Sequence, residues 1–250
     1  LFRSFETLQR QFPYSELVRT GREALALAAQ CIPHEQGDIV LMPAYCCRTM
    51  EWPFQDYGWT LEYFSLNKDL TVNIEDLLKR ILMLSPKAVL LMNYYGFTNI
   101  GEAVKTIRET TPDVVVIEDF SHTLLTENQI NTPPSRANIR IASIRKSIGV
   151  ADGGIFLSEI PFNPSKVKQQ VNTFSTLRLE AEREKEKFSY TYEEELRASF
   201  KDKLSRANES LTRPVEAFKI SSESVDIINH IDVEIHRFAR YHNYQHLYIL

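Results

Sequence analysis

A lysine, a pair of adjacent carboxylates with a histidine close behind, and a single glycine stand in this chain where apolar runs end or a helix begins. Lys146 lies in Ala142-Ser143-Ile144-Arg145-Lys146-Ser147, just past one apolar run and before Gly153-Gly154, which leads into the next. A lysine amine forms Schiff bases with carbonyl compounds, and partial burial beside a second cation such as Arg145 lowers its pKa and improves it as a nucleophile. Taken alone, a lysine is by default a solvated surface charge. The run Val114-Val115-Val116-Ile117 ends in Glu118-Asp119-Phe120-Ser121-His122. A carboxylate there could hold a ring nitrogen in its cationic form; the same pair would also serve to cap a following helix, and a histidine such as His122 is more often structural. Gly21, in Thr20-Gly21-Arg22-Glu23, marks a loop entering a helix, where free N–H groups and the macrodipole suit a phosphate. A plain capping turn uses the same residues.

The elements that must position these groups follow from hydrophobic patterning. Thr20 N-caps a helix reaching Cys31, rich in Ala and Leu, and an extended segment enters it. Short apolar runs predict strands at Ile39 to Met42, Thr60 to Leu66, Ala88 to Tyr94, Val114 to Glu118, Ile139 to Ile144 and Gly154 to Leu157. Helices are predicted at Arg48 to Gln55, weakened by Pro53, at Ile74 to Leu84 and at Gly101 to Thr110. This alternation is the α/β signature, and strands apolar on both faces imply a mainly parallel sheet covered on both sides. Ligands on such sheets gather at the carboxyl ends of strands, where Asp119 would stand. From Lys166 to Phe200 dense Glu, Lys and Arg at helical spacing read as a long solvated helix. An amphipathic pattern follows Pro214 and runs to the end. The expected domains are therefore 1–165, a large α/β domain; 166–218, a charged helical connector; and 219–250, the start of a small α+β domain.

Bulk properties narrow the function classes. Hydrophobic residues make up 43% and charged residues 25%, with a net charge of −4, proportions of a globular protein without the basic field that draws nucleic acid. No segment has the roughly 20 apolar residues of a membrane span, and Leu1 to Arg10 do not read as a signal peptide. Three cysteines, two of them adjacent (Cys46 and Cys47), argue against a disulfide framework. A cytoplasmic protein acting on small molecules, without a metal, is the expectation. The start without Met and the stop inside a helical run imply a piece of a longer protein.

Together the segments resemble the DegT/DnrJ/EryC1/StrS aminotransferases, a branch of the fold-type I pyridoxal-phosphate enzymes of the aspartate aminotransferase superfamily known for making amino sugars. The likeness runs from about Thr20 to Leu157 and returns at Arg240 to Leu250. It implies a three-layer α/β/α large domain, pyridoxal 5'-phosphate as cofactor, a homodimer, and transfer of an amino group from an amino-acid donor to a keto acceptor such as a keto-sugar. By the resemblance, Gly21 and Arg22 form the phosphate turn and Ser143 is a further phosphate contact. Asp119 pairs with the pyridine nitrogen, His122 bonds the ring hydroxyl, and Lys146 is the Schiff-base lysine and catalytic base. Asn93-Tyr94-Tyr95-Gly96 looks like the strand end facing substrate, giving Asn93 and Tyr95 substrate contacts along with Tyr45. Two departures stand out. Arg22 replaces the usual threonine and offers a guanidinium to phosphate; Cys47 stands where an aromatic side chain usually stacks on the ring, a surface that Tyr45 could supply. These departures leave open a pyridoxal-phosphate enzyme of another reaction class (dehydratase, lyase or desulfurase) or a cofactor-free binding or scaffolding protein of the same fold.

Overall fold

The computed structural model describes residues 12–96, 98–125, 136–169 and 173–249. Its centre is a seven-stranded sheet of β1 (Tyr14–Val18), β2 (Ile39–Pro43), β3 (Thr60–Phe64), β4 (Ala88–Met92), β5 (Val115–Asp119), β6 (Ile139–Ser143) and β7 (Gly154–Ser158), in the order β1-β7-β6-β5-β4-β2-β3. The five strands from β3 to β6 run parallel; β7 is antiparallel to both β6 and β1. This is the mainly parallel mixed sheet of an α/β fold.

Period-two alternation assigns each strand residue to a face. On one face Val40, Met42, Leu90, Ile117, Ile139 and Ile141 pack with α1 (Gly21–Cys31), whose Ala24 to Ala29 are buried all round. On the other, Leu41, Val89, Leu91 and Val116 meet α3 (Ile74–Leu84) through Leu77 and Ile81, and α4 (Gly101–Thr110) through Ala103, Val104 and Ile107. The sheet is thus the middle of three layers. Glu118 and Asp119, adjacent in β5, must point to opposite faces. Glu118 joins the second face, where it is paired in register with Arg140 of β6 and bonded to it at 2.6 Å. Asp119 faces α1's side.

Several boundaries differ from the sequence reading. β5 includes Asp119 because it is flanked by strands on both sides, and pairing with Met92 and Ile141 carries the ladder one residue past Glu118. No helix follows the carboxylates directly; a turn does. Arg48–Met50 forms a 3-10 turn ahead of α2 (Glu51–Asp56). Pro53 then falls in the first helical turn, where its missing N–H costs no bond. The entry segment pairs as the edge strand β1. The charged stretch is two helices, α5 (Thr173–Thr191) and α6 (Glu194–Glu209), reversed at Tyr192 with φ of 55°. Phe188 meets Phe200 across the hairpin with ring centroids 5.8 Å apart, and Lys203 bridges to Glu180 at 3.4 Å. Strand β8 (Val167–Lys168) pairs with β9 (Ala217–Phe218). The chain ends in α7 (Ser222–His230) and α8 (Val233–Ile249), with Ile228 buried against Ala142, Ile155 and Leu157.

Candidate active site

Three backbone segments converge at the carboxyl ends of β5 and β6. Thr20, extended at φ −143°, caps α1 by accepting from the Glu23 N–H at 3.3 Å. Gly21 then lies so close to Ser143 that a Cβ added to it would sit 3.0 Å from the serine Cβ. The Gly153 N–H donates to Arg19 O at 2.7 Å, and a Cβ on Gly154 would stand 2.4 Å from Thr20 O. Only glycine allows the strand β7 to pass under the start of α1 at that distance. Beyond Ser143 the chain turns through Ile144–Lys146, tied back by the Ile144 N–H to Gly153 O at 3.0 Å, and this turn brings Lys146 round to the same side.

The result is a cavity of about 190 Å³ whose walls include Thr20, Gly21, Arg22, Cys47, Asp119, Ser121, Ser143, Arg145 and Lys146. Six of the residues singled out from sequence therefore share one small space: Gly21, Arg22, Cys47, Asp119, Ser143 and Lys146. His122 adjoins it, its Nε2 3.3 Å from Lys146 Nζ. Tyr95, in a left-handed conformation at φ 52°, stacks on the His122 imidazole with centroids 4.6 Å apart. Tyr45 is exposed beside Tyr94, whose hydroxyl donates to Tyr45 O. Asn93 lies elsewhere: its buried carboxamide donates to Glu118 Oε1 at 2.5 Å, on the far face of the sheet. Ser121, Arg145 and Leu211 also line the cavity. Arg145 had a signal in its place beside Lys146, whereas Leu211 arrives from beyond the helical hairpin and no local pattern could show it.

The electrostatics are those of a cationic pocket around one buried acid. Burial pushes the Asp119 carboxyl above its usual range, against the pull of the Ser121 N–H, which donates to it at 2.8 Å, and of Lys146 and His122. Burial, reinforced by Lys146, lowers His122, so the imidazole is neutral near pH 7 and its Nε2 suits a lysine donor. Arg22 is lowered by burial and its Nε has no partner among the described residues. The His122 Nδ1 is likewise buried and, among the described residues, unpartnered. Buried polar atoms without partners are costly; Arg22 lines this cavity and His122 adjoins it. A helix N-terminus, two guanidinium groups, an amine and a buried carboxyl lining one space make a receptor for a molecule that carries both an anionic and a basic group. Among the described residues no cluster suits a metal ion.

No family model matches the chain. Among curated proteins, GDP-4-keto-6-deoxy-D-mannose 3-dehydratase of Yersinia pseudotuberculosis is 31% identical over 113 residues, 42% of this chain and 28% of the relative. A solved mutant of GDP-4-keto-6-deoxymannose-3-dehydratase with bound GDP-perosamine superposes with a TM-score of 0.53 at 22% identity, over 62% of this chain and 42% of the other. The same dehydratase with a trapped PLP-glutamate geminal diamine gives 0.52 at 22%, over 63% and 43%. 3-Amino-5-hydroxybenzoic acid synthase gives 0.52 at 17%, over 62% and 42%. The shared feature is the fold. This chain spans less than half the length of each.

Proposed function

We propose that this chain binds pyridoxal 5'-phosphate and belongs to an enzyme of the DegT/DnrJ/EryC1/StrS kind that transfers an amino group from an amino-acid donor to a keto acceptor. The reading rests on one observation: Lys146 and Asp119, delivered by two different strand ends, line a single small cavity together with the N-terminus of α1. The residues fit the cofactor. The unpartnered Arg22 Nε and the start of α1 suit its phosphate, Ser143 adds a hydroxyl, and the buried Asp119 carboxyl suits a ring nitrogen that carries a proton. We assign the ring hydroxyl to His122, which adjoins the cavity.

When bound, pyridoxal phosphate supplies an aldehyde that condenses with amines and a ring that takes up an electron pair from the substrate carbon. The chain's own work is to hold and move protons. Asp119, ionised once a cationic partner shares its buried site, would keep the proton on the ring nitrogen. Lys146 Nζ would hold the cofactor and, once free, would take and return the substrate proton as general base. The neutral His122 Nε2, 3.3 Å away, accepts a hydrogen bond from that amine and orients it. Tyr95 keeps the imidazole in place by stacking on it.

Residues 219–250 are read as the opening of a second, smaller domain, and the working enzyme as a homodimer. A second reaction class is favoured by one finding: the 31% identical relative is named a 3-dehydratase. Incubation with ¹⁵N-glutamate and a nucleotide-linked 4-keto sugar separates the two. The label enters the sugar in a transferase; a dehydratase releases water from it.

The cofactor reading is tested by adding pyridoxal phosphate to the chain, reducing with borohydride and mapping the modified peptide. A single adduct on Lys146, absent in Lys146→Ala, is expected. Equal labelling of the variant would reject the site.

A further inference from the structure

Lys146 sits on a stretch of chain that neither the sheet nor a long helix holds. Between the end of β6 and Gly154 the chain makes the turn Ile144–Lys146 and then runs through Asp152 and Gly153 with no regular element. Backbone groups in such a stretch need partners from elsewhere, and several come from the C-terminal half of the chain. At the far end Arg178 of α5 donates from Nε to Ala151 O at 3.1 Å, and the Asp152 carboxylate accepts from the hydroxyls of Ser175 and Ser221 at 2.8 and 2.6 Å. All of these residues are buried. Beside the lysine the fastening is of a different kind. The Ser147 N–H closes the turn on Ile144 O at 2.9 Å, while Ser147 O, the carbonyl of the residue after Lys146, accepts from the Arg240 guanidinium of α8 at 2.7 Å. Arg240 is otherwise exposed, and it shares the walls of a second cavity, of about 630 Å³, with His122, Ser147, Phe238 and Tyr241. A bond at the wall of an open space thus ties α8 to the turn.

A hydrogen bond whose donor carries charge is stronger than a neutral one, and the planar guanidinium loses little freedom in making it. A shift of Ser147 O turns the backbone that carries Lys146, and a misplacement of about 1 Å at a reacting group can cost roughly a hundredfold in rate. The lysine side chain ends 3.3 Å from the His122 Nε2, on a residue that lines the same second cavity. Resting on the reading of Lys146 as the amine that condenses with the cofactor, we propose that Arg240 is its positioning residue: by holding Ser147 O it aims Nζ at the site, and so makes the lysine's readiness depend on where α8 lies.

The test uses the full chain as wild type, Arg240→Met, Arg240→Lys and Arg237→Met, the last removing a neighbouring arginine of α8 that is paired with Glu234 at 2.9 Å. One readout is the rate at which pyridoxal phosphate and borohydride trap Lys146. A second needs no cofactor: after reductive methylation with ¹³C-formaldehyde, the NMR shift of the Lys146 methyl groups, assigned by their absence in Lys146→Ala, reports how near the amine lies to the His122 ring. Arg240→Met is expected to slow trapping about fivefold or more, the scale of one lost hydrogen bond, and to move the methyl signal toward that of solvated lysines with the urea midpoint unchanged. Arg240→Lys, which keeps a charged donor, should restore most of both, and Arg237→Met should match the wild type. A wild-type rate and signal in Arg240→Met overturn the proposal. So does an equal change in Arg237→Met, which would assign the effect to α8 as a whole. The two claims fail separately. Trapping in the wild type that Arg240→Met leaves unchanged sinks the arginine's role alone, whereas a methyl signal that depends on Arg240 in a chain that is never trapped at Lys146 supports the positioning role and sinks the cofactor reading.

Discussion

Cys46 and Cys47 are neighbours in the chain and opposites in reactivity. Burial, with Glu51 nearby, pushes the Cys46 thiol up to about 11, and burial pushes Cys31 to about 12. At Cys47 burial acts in the same upward direction but is outweighed by the Thr49 hydroxyl 3.1 Å from its Sγ, the Thr49 N–H and the charges of Lys146 and Arg22, so its pKa is lowered. The thiolate is the nucleophile. At pH 8 iodoacetamide should therefore modify Cys47 well before the other two, and saturation with pyridoxal phosphate should protect it. Equal rates at all three, by peptide mass, would show that the electrostatics have been misread. The sequence placed Cys47 at the cofactor by resemblance alone; its pKa is lowered first by Thr49, two residues on, and then by the charges of Lys146 and Arg22, which reach it from the turn after β6 and from α1 and leave no mark in the local pattern.

Two strand-level features carry opposite predictions for adjacent residues. Glu118 is locked in a fully buried pair with Arg140, whose guanidinium also lies 4.5 Å from the Phe120 ring. Removing one partner strands a buried charge, so Glu118→Ala should cost about 3–5 kcal/mol. Asp119→Asn, on the other face, should leave urea stability nearly unchanged and instead reduce pyridoxal-phosphate binding. A reversal of these two effects would mean that the faces of β5 are exchanged. At the junction of β7 and α1, Gly154→Ala forces a Cβ to 2.4 Å from a backbone oxygen and 2.8 Å from a backbone nitrogen, and about 1–3 kcal/mol or more should be lost. Gly21→Ala meets a side chain at 3.0 Å and should cost less. Urea midpoints of the two variants decide the order. The strands and the Thr20 cap were legible because apolar runs and capping residues are local signals. The hairpin of α5 and α6 was not, because its reversal at Tyr192 relies on a left-handed residue that is not glycine.

At the scale of the whole molecule, α1 is tied to the returning chain through Glu23. Its carboxylate takes the Arg19 guanidinium at 2.7 Å and the Phe218 N–H at 3.1 Å, while Arg19 lies over the Phe218 ring at 4.4 Å. Burial nevertheless dominates and raises Glu23 from 4.5 to about 7, with Arg19 opposing. A folded-state pKa above the unfolded value means that the unfolded chain gives up its proton first. Stability from this group is full below pH 4.5 and is lost as pH rises through about 7. Urea midpoints should fall across that window in the wild type and change less in Glu23→Gln; parallel curves would assign the slope to other groups.

The order of elements, the parallel core and the residues able to do chemistry were set by local composition, since alternation, capping and apolar runs act over a few neighbours. Which carboxylate of Glu118-Asp119 faces the cavity, where Asn93 turns its amide, and what holds the turn of Lys146 were decided by tertiary structure. Strand pairing selects the face, and segments remote in the chain supply the partners; contacts of that range leave no mark on the residues beside them.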